Sequence, residues 1–304
     1  MNGRRYWSGA AAALFALLAA SLALWLVGAV VERSALARLR QAAQDAALLR
    51  QAHLESEIAR FRLLPRILAD DRDLLAGLDG SRQALAMLNR KLAALARSTG
   101  AAQIYVLNAR GDTLASSNWN EPRSFVGQNY ASRDYFRIAA ARGSAMQLAL
   151  GTVSERPGLY LSHRSRGDGY VVVKLEFDRI EQDWAKLDEI SFVTDRAGIV
   201  RITSRADWRF ATTRPLSPAD RARFSTELQA GRRSLSPLPL RLSGDDIVRL
   251  AAPSGRTWVW QSVPAGEAGW RLHVLAPTRG VEAAVRTAQL VAVLTVALLL
   301  IAAG

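Results

Sequence analysis

The sequence contains no cysteine. Disulfides, zinc-ribbon sites and thiol nucleophiles are therefore excluded together. The absence fits a periplasmic domain that does without staples, but cytosolic proteins also lack cysteine, so it fixes no compartment. Histidine is scarce: His53, His163 and His273 stand far apart and without helper spacing, so no local metal-binding motif is present. Despite a formal net charge of +13, there is no run of five basic residues and no basic helix with interleaved aromatics. The electrostatic footprint of a nucleic-acid binder is missing. The arginines are spread through an Ala- and Arg-rich chain, which points to compositional bias, with a few left for an anionic ligand. Also missing are a glycine-rich ATP lid, any nucleophile–base–orienter set and any paired catalytic acid and base. No catalysis and no cofactor are expected.

Charge is absent from both ends. From Tyr6 to Val31 no residue is charged, and Ala10–Val31 is almost wholly apolar. A helix needs about 20 such residues to cross a bilayer, whereas the apolar region of a signal peptide runs only about 7–15. An uncleaved anchor is expected over 10–31, and Arg4 and Arg5 would keep residues 1–9 cytoplasmic by the positive-inside rule. A second charge-free stretch covers 287–304 and is rich in Val, Leu and Ala. It ends without a basic flank, as the edge of a fragment would. The two spans enclose about 255 residues, long enough for two ordinary domains. A loop of that length is translocated whatever its own charge.

After the first span, Leu36, Leu39, Ala43, Ala46 and Leu49 recur at helical spacing among Arg, Gln and Glu. This predicts an amphipathic helix over 32–62, a stalk that packs on a domain or on a second copy of itself. Pro65 interrupts it. A further helix is expected over about 81–98, closed by Gly100. The period then changes from 3.6 to 2. Gln103–Leu107 and Thr113–Ser116 read as strands around the turn Asn108-Ala-Arg-Gly111, and Ser191–Thr194 and Ile199–Ser204 repeat them around Asp195-Arg-Ala-Gly198, 87 residues on. Two related α+β modules follow from this internal repeat. Further strands are expected at 145–153, 158–164 and 169–177, then at 246–252, 257–263 and 270–276. A strand-to-helix connector covers Leu175–Asp188. The Arg-, Pro- and Ser-rich stretch 205–245 reads as loops and short helices.

Several segments in order carry a resemblance: Ser117-Asn-Trp119, Phe125–Tyr130, Arg133-Asp-Tyr-Phe136, Gly151–Ser154, Gly158–Ser162, Val171–Leu175, and later Ile180–Trp184, Thr203-Ser204 and Trp208-Arg209. Together they resemble the periplasmic sensor region of the C4-dicarboxylate transport sensor histidine kinases, a tandem-PAS or double Cache family. Any one motif recurs widely; the ordered set is specific. The resemblance implies two PAS-like modules on a long N-terminal helix, flanked by two transmembrane helices. The stalk would cover 32–100, a membrane-distal ligand-binding module 101–180, and a membrane-proximal relay module 181–280. It further implies a bacterial inner-membrane location, a homodimer through the N-terminal helix, and a succinate, fumarate or malate ligand. A cytoplasmic kinase acting on a cognate response regulator would follow the second span. This chain departs from that pattern in having no kinase. His53-Leu-Glu-Ser-Glu57 superficially resembles a phosphoacceptor box, but it sits just beyond the first span and reads as a solvated stalk. A chemoreceptor or diguanylate cyclase output, an amino-acid ligand using Asp134, or a purely structural pair of modules are the rival readings.

A dicarboxylate needs a cation or a cluster of donors at each end. Arg133 is the first candidate, since guanidinium grips carboxylate through a planar fork; its alternative is an exposed helix arginine. Lys174 is the second, because it interrupts an apolar strand and a buried lysine needs a partner; its alternatives face solvent or pair with Glu176. Hydroxyls from Tyr130, Thr152, Ser154 and Ser162 can donate to carboxylate oxygens. The resemblance points to Tyr130 and Thr152, less to Ser154 and Tyr160. Tyr135 and Phe136 read as pocket wall or core, with Phe136 in the core, and Trp119 and Trp184 as structural.

Overall fold

The computed structural model describes residues 3–153, 156–228, 235–251, 256–266 and 269–303, with backbone alone at 3–17, 225–228, 299–300 and 302–303. Helix α1 (Gly3–Arg62) runs without a break from the first apolar stretch into the amphipathic stretch. Pro65 occupies the first turn of α2 (Leu64–Ala69), where a missing amide hydrogen costs nothing. Helix α3 (Arg72–Leu78) is capped by the Asp71 carboxylate and α4 (Arg82–Thr99) by the Ser81 hydroxyl. Gly100 ends α4 in the left-handed conformation at φ 78°.

The first sheet contains β1 (Gln103–Leu107), β2 (Thr113–Ser116), β3 (Ser144–Leu150), β4 (Pro157–Arg164) and β5 (Tyr170–Leu175), in the order β2-β1-β5-β4-β3, with α5 (Asp134–Arg142) inserted before β3. Helix α6 (Asp178–Ala185) leads to the second sheet. There β6 (Ile190–Thr194), β7 (Val200–Thr203), β8 (Leu240–Leu242), β9 (Ile247–Leu250), β10 (Thr257–Pro264) and β11 (Arg271–Pro277) take the order β7-β6-β11-β10-β9-β8, with α7 (Pro218–Leu228) between β7 and β8. Among the described strands every pairing is antiparallel, and one isolated bridge, Thr212 with Pro237, is parallel. The stretch 205–245 holds more than loops and short helices. Its β8 is an edge strand of three residues, too short to show a period in sequence.

Alternation puts the two faces of each sheet in different company. Ile104, Val106, Val171 and Val173 of the first sheet and Val193, Ile202 and Val274 of the second share one core with Ala43, Ala47, Leu54, Ile58 and Phe61 of α1 and with Leu88 and Leu92 of α4. Trp184 lies in this core too, whereas Trp119 is exposed. The opposite faces form two separate clusters, one around Tyr105, Tyr135 and Tyr160, the other around Phe192, Trp208 and Trp258. Among the described residues two helices are long and apolar enough to cross a membrane, in α1 and in α8 (Arg279–Ala303). They pack side by side, with Gln289 lying over Gly28.

His273 on β11 is buried against Phe192, ring centres 4.6 Å apart. Trp260 Nε1 donates to its Nδ1 at 3.0 Å, leaving the proton on Nε2, which lies 2.9 Å from Thr194 Oγ1. Burial, assisted by Arg271, pushes its pKa down to about 3, so the folded imidazole is neutral. An unfolded histidine titrates near about 6.5. The folded state therefore binds fewer protons between these values, and stability falls as pH drops through that window at up to about 1.4 kcal/mol per unit. Thermal melting between pH 7 and 4 is expected to show a falling midpoint that flattens in His273→Gln.

Candidate functional site

Three strands and one helix start bring the site together. On β5 the residues Tyr170, Val172 and Lys174 share a face, and Tyr160 on β4 stands directly opposite Lys174. Lys174 is completely buried. Its stem passes over Gly158, where a Cβ would lie 2.7 Å from Lys174 Cε, so glycine leaves the channel the side chain occupies. The Lys174 ammonium pairs with Glu176, two residues on. Burial lowers the Lys174 pKa more than Glu176 raises it.

Arg133 precedes α5 at φ −78°, ψ 136°, an extended N-cap position, not a place within the helix. It is 3% exposed, which removes the exposed-arginine alternative. One amine donates to the Leu150 carbonyl at 2.7 Å. The guanidinium carbon lies 5.7 Å from the centre of the Tyr135 ring and 5.8 Å from that of Tyr160. Lys174 Nζ is also 5.8 Å from the Tyr160 centre. Twice that distance bounds the separation of the two cations. Tyr160 thus lies within cation–π reach of both.

Tyrosines make up the rest. Tyr135 and Tyr160 stack at 4.8 Å with their planes 1° apart, and the Tyr105 hydroxyl donates to the Tyr135 hydroxyl at 2.8 Å. Burial raises the pKa of all three, so they remain neutral beside the cations. The Tyr130 ring centre is 6.4 Å from that of Tyr135. Its hydroxyl is buried without a hydrogen bond of ordinary geometry, although Thr152 is near enough to favour its ionised form against the larger effect of burial. The loop that delivers Tyr130 is fixed at Gly111, φ 82°, where a Cβ would lie 2.6 Å from the Ala131 nitrogen; the Gly111 carbonyl accepts from the Tyr130 amide at 2.8 Å. Asn118 holds the same loop, accepting from the Phe125 amide and donating to the Arg123 carbonyl.

The candidates divide accordingly. Arg133, Lys174, Tyr130, Tyr135 and Tyr160 converge. Thr152, exposed on the turn between β3 and β4, reaches the site through its proximity to the Tyr130 hydroxyl, and Ser154 lies outside the described residues. Ser162 is on the same face but already engaged, donating to the Tyr135 carbonyl at 2.8 Å and so tying β4 to the first turn of α5. Phe136 packs on Tyr170 at 4.7 Å, as core. Two supporting residues had no sequence signal of their own. Gln147 accepts from the Tyr135 amide at 2.9 Å, and Tyr105 anchors Tyr135. Asp134 pairs with Arg137 and accepts from Gln147.

No protein-family profile matches the chain. It is 42% identical over 303 positions to the C4-dicarboxylate transport sensor protein DctB of Rhizobium meliloti, which covers 95% of this chain and 48% of that protein. To the protein of the same name from Pseudomonas aeruginosa it is 33% identical over 301 positions, covering 95% and 46%. The chain thus spans about half the length of the curated relatives it matches. The crystal structure of the Vibrio cholerae histidine kinase DctB sensor domain superposes with a TM-score of 0.66 at 26% identity, over 78% of this chain and 98% of that one. By sequence along nearly its whole length and by fold, the chain is similar to the part of the C4-dicarboxylate transport sensor proteins that the Vibrio cholerae sensor-domain structure represents.

Proposed function

We propose that the first sheet binds a C4 dicarboxylate between Arg133 and Lys174, and that the chain serves as the extracytoplasmic sensor of an inner-membrane receptor. The observation that carries this reading is the burial of two cations, 3% and 0% exposed, at equal distance from one neutral tyrosine ring. Burying a charge is costly without an opposite charge or a full set of hydrogen bonds, and the partners these two have in hand, Glu176 and the Leu150 carbonyl, are ones a ligand carboxylate can exchange with or supplement. Succinate, fumarate and malate supply a carboxylate at each end. Arg133 would grip one end through its planar fork, the Tyr130 hydroxyl would donate to the same end, and Lys174 would hold the other. The positive end of α5, which begins at Asp134, adds to the potential for an anion. Asp134, the residue an amino-acid ligand would need, is occupied by Arg137 and Gln147.

In this reading residues 1–9 are cytoplasmic, 10–31 and 287–304 cross the membrane, 32–100 form a helical stalk that pairs with a second copy, 101–180 bind ligand and 181–280 relay the signal. The relay has a physical route. The ligand's second carboxylate competes with Glu176 for Lys174. Glu176 lies 3.8 Å from Arg156, which pairs with Asp178 at the start of α6. The same helix reaches the second sheet through Glu181, which accepts from the Thr203 amide and pairs with Arg209. Ligand would shift the population of two arrangements along this line. The output is phosphotransfer to a response regulator by a kinase beyond Gly304.

Two titrations test the site. Calorimetry with succinate, fumarate, malate and aspartate is expected to show dicarboxylate binding that weakens about 10- to 100-fold in Arg133→Ala, the loss of charge-assisted hydrogen bonds. Unchanged affinity in that variant would contradict the assignment. Glu176→Gln removes the competing carboxylate and is expected to tighten succinate by about fivefold, of the order of 1 kcal/mol. A weaker complex would place Glu176 among the ligand's supports instead.

A further inference from the structure

The second sheet repeats the first strand for strand, β7-β6-β11-β10-β9 against β2-β1-β5-β4-β3. The register carries across residue by residue. In the first sheet Gln103 faces Lys174 and Lys174 faces Tyr160; in the second Ile190 faces Leu275 and Leu275 faces Trp260. Tyr105, which faces Val172, is matched by Phe192, which faces His273. The turns agree as well. Gly111 and Gly198 lie at φ 82° and 83°, and their carbonyls accept from the Tyr130 and Thr213 amides at 2.8 and 2.9 Å. Past those amides, Arg133 precedes α5, and Ser217 precedes α7, accepting from the Asp220 amide at 3.1 Å. At four positions that make the first site cationic or hydroxylated the equivalent residue carries no charge, Leu275 for Lys174, Trp260 for Tyr160, Phe192 for Tyr105 and Ser217 for Arg133, while Thr213, the equivalent of Tyr130, keeps a hydroxyl.

On that face of the second sheet lies a cavity of about 390 Å³, walled by Leu216, Leu238, Leu240, Val248 and Trp260. Its volume falls in the range of about 300–1,000 Å³ typical of small-molecule sites. Two arginines, Arg214 and Arg221, line it and both are exposed; no acidic side chain is among the described residues that line it. We propose that this cavity is a second ligand site, selective for a small apolar monocarboxylate. The hydrocarbon or aromatic body fills the space against Trp260 and Leu238. The carboxylate stays at the mouth with Arg221 and Arg214, whose other amine already donates to the Arg196 carbonyl at 3.0 Å. A dicarboxylate would have to bury its second charge against leucines, Trp260 and at most the hydroxyls of Thr212 and Thr213, with no cation within, so this site rejects the ligand that the first one takes. One fold repeated on one chain would then read two chemical classes, one doubly charged and one amphiphilic.

The test is calorimetric titration of the full chain in nanodiscs with 4-methylpentanoate and phenylacetate, against empty discs as control. Saturable binding at one site is expected. Leu240→Trp, which fills the cavity, and Arg221→Glu, on the exposed surface of α7, should each weaken it at least tenfold, while Arg133→Ala leaves it unchanged. Circular dichroism melting at the wild-type temperature would show that each variant is folded. Absence of saturable binding of both acids, binding indifferent to both cavity variants, or loss of binding in Arg133→Ala would each overturn the proposal. Succinate is titrated separately on the same proteins, so failure of this site and failure of the first are distinct results.

Discussion

A single helix has to satisfy two sheets at once, and the remaining features of the fold follow from that constraint. The apolar stripe of α1, from Ala43 to Phe61, belongs to the same buried cluster as the inner faces of both sheets. Polar contacts fix its position along the second sheet: Arg40 pairs with Asp246 at 2.6 Å, Arg50 with Glu189 at 3.2 Å, and the Glu55 carboxylate accepts from the Gly266 amide at 2.7 Å. In the proposed reading, a helix shared in this way would carry displacement of one sheet towards the other and towards the apolar segments beside it. It also consumes only one face of each sheet. The outer faces stay available for local lids, α5 with its loop on the first sheet and the segment carrying Trp208 and Ala211 on the second, while α7 packs its Phe224 on Phe210 beside Leu150 of β3.

What each outer face does with that freedom depends on a few side chains. On the first sheet a Lys–Tyr cross-strand pair and an arginine before a helix create a concentrated positive site inside a ring of tyrosines. Its charges are tolerable because each has a partner in hand, Glu176 for Lys174 and the Leu150 carbonyl for Arg133. Both are partners that a carboxylate can replace or supplement. In the proposed reading that exchange would link occupancy to geometry, since Glu176 stands where β5 gives way to the connecting helix. On the second sheet the corresponding pair is Leu–Trp, and the same architecture encloses apolar space.

Much of this was legible in the sequence because it is written at short range. The Asn/Asp-x-x-Gly turns, the period-2 runs around them, the Gly100 stop and the two charge-free ends each depend on neighbours within a few residues. Lys174 and Arg133 could be singled out because a cation in an apolar run, or in a family motif, is locally anomalous. The remainder needed pairing across the sheet. Ser162 reads as a spare hydroxyl until β4 is docked on α5, where the Tyr135 carbonyl takes it. Gln147 gains its role only from standing opposite Tyr160 in a hairpin. Strand β8 is too short for a period, and the equivalence of Leu275 to Lys174 is invisible without the register, because the two modules differ in spacing after their first hairpin.

The most direct measurement is a crystal structure of the protein soaked with succinate. The account predicts density on the outer face of the first sheet, with one carboxylate on Arg133 and the Tyr130 hydroxyl, the other on Lys174, and Glu176 turned away from Lys174. Succinate bound elsewhere, or bound here with the Lys174–Glu176 pair intact, would contradict it.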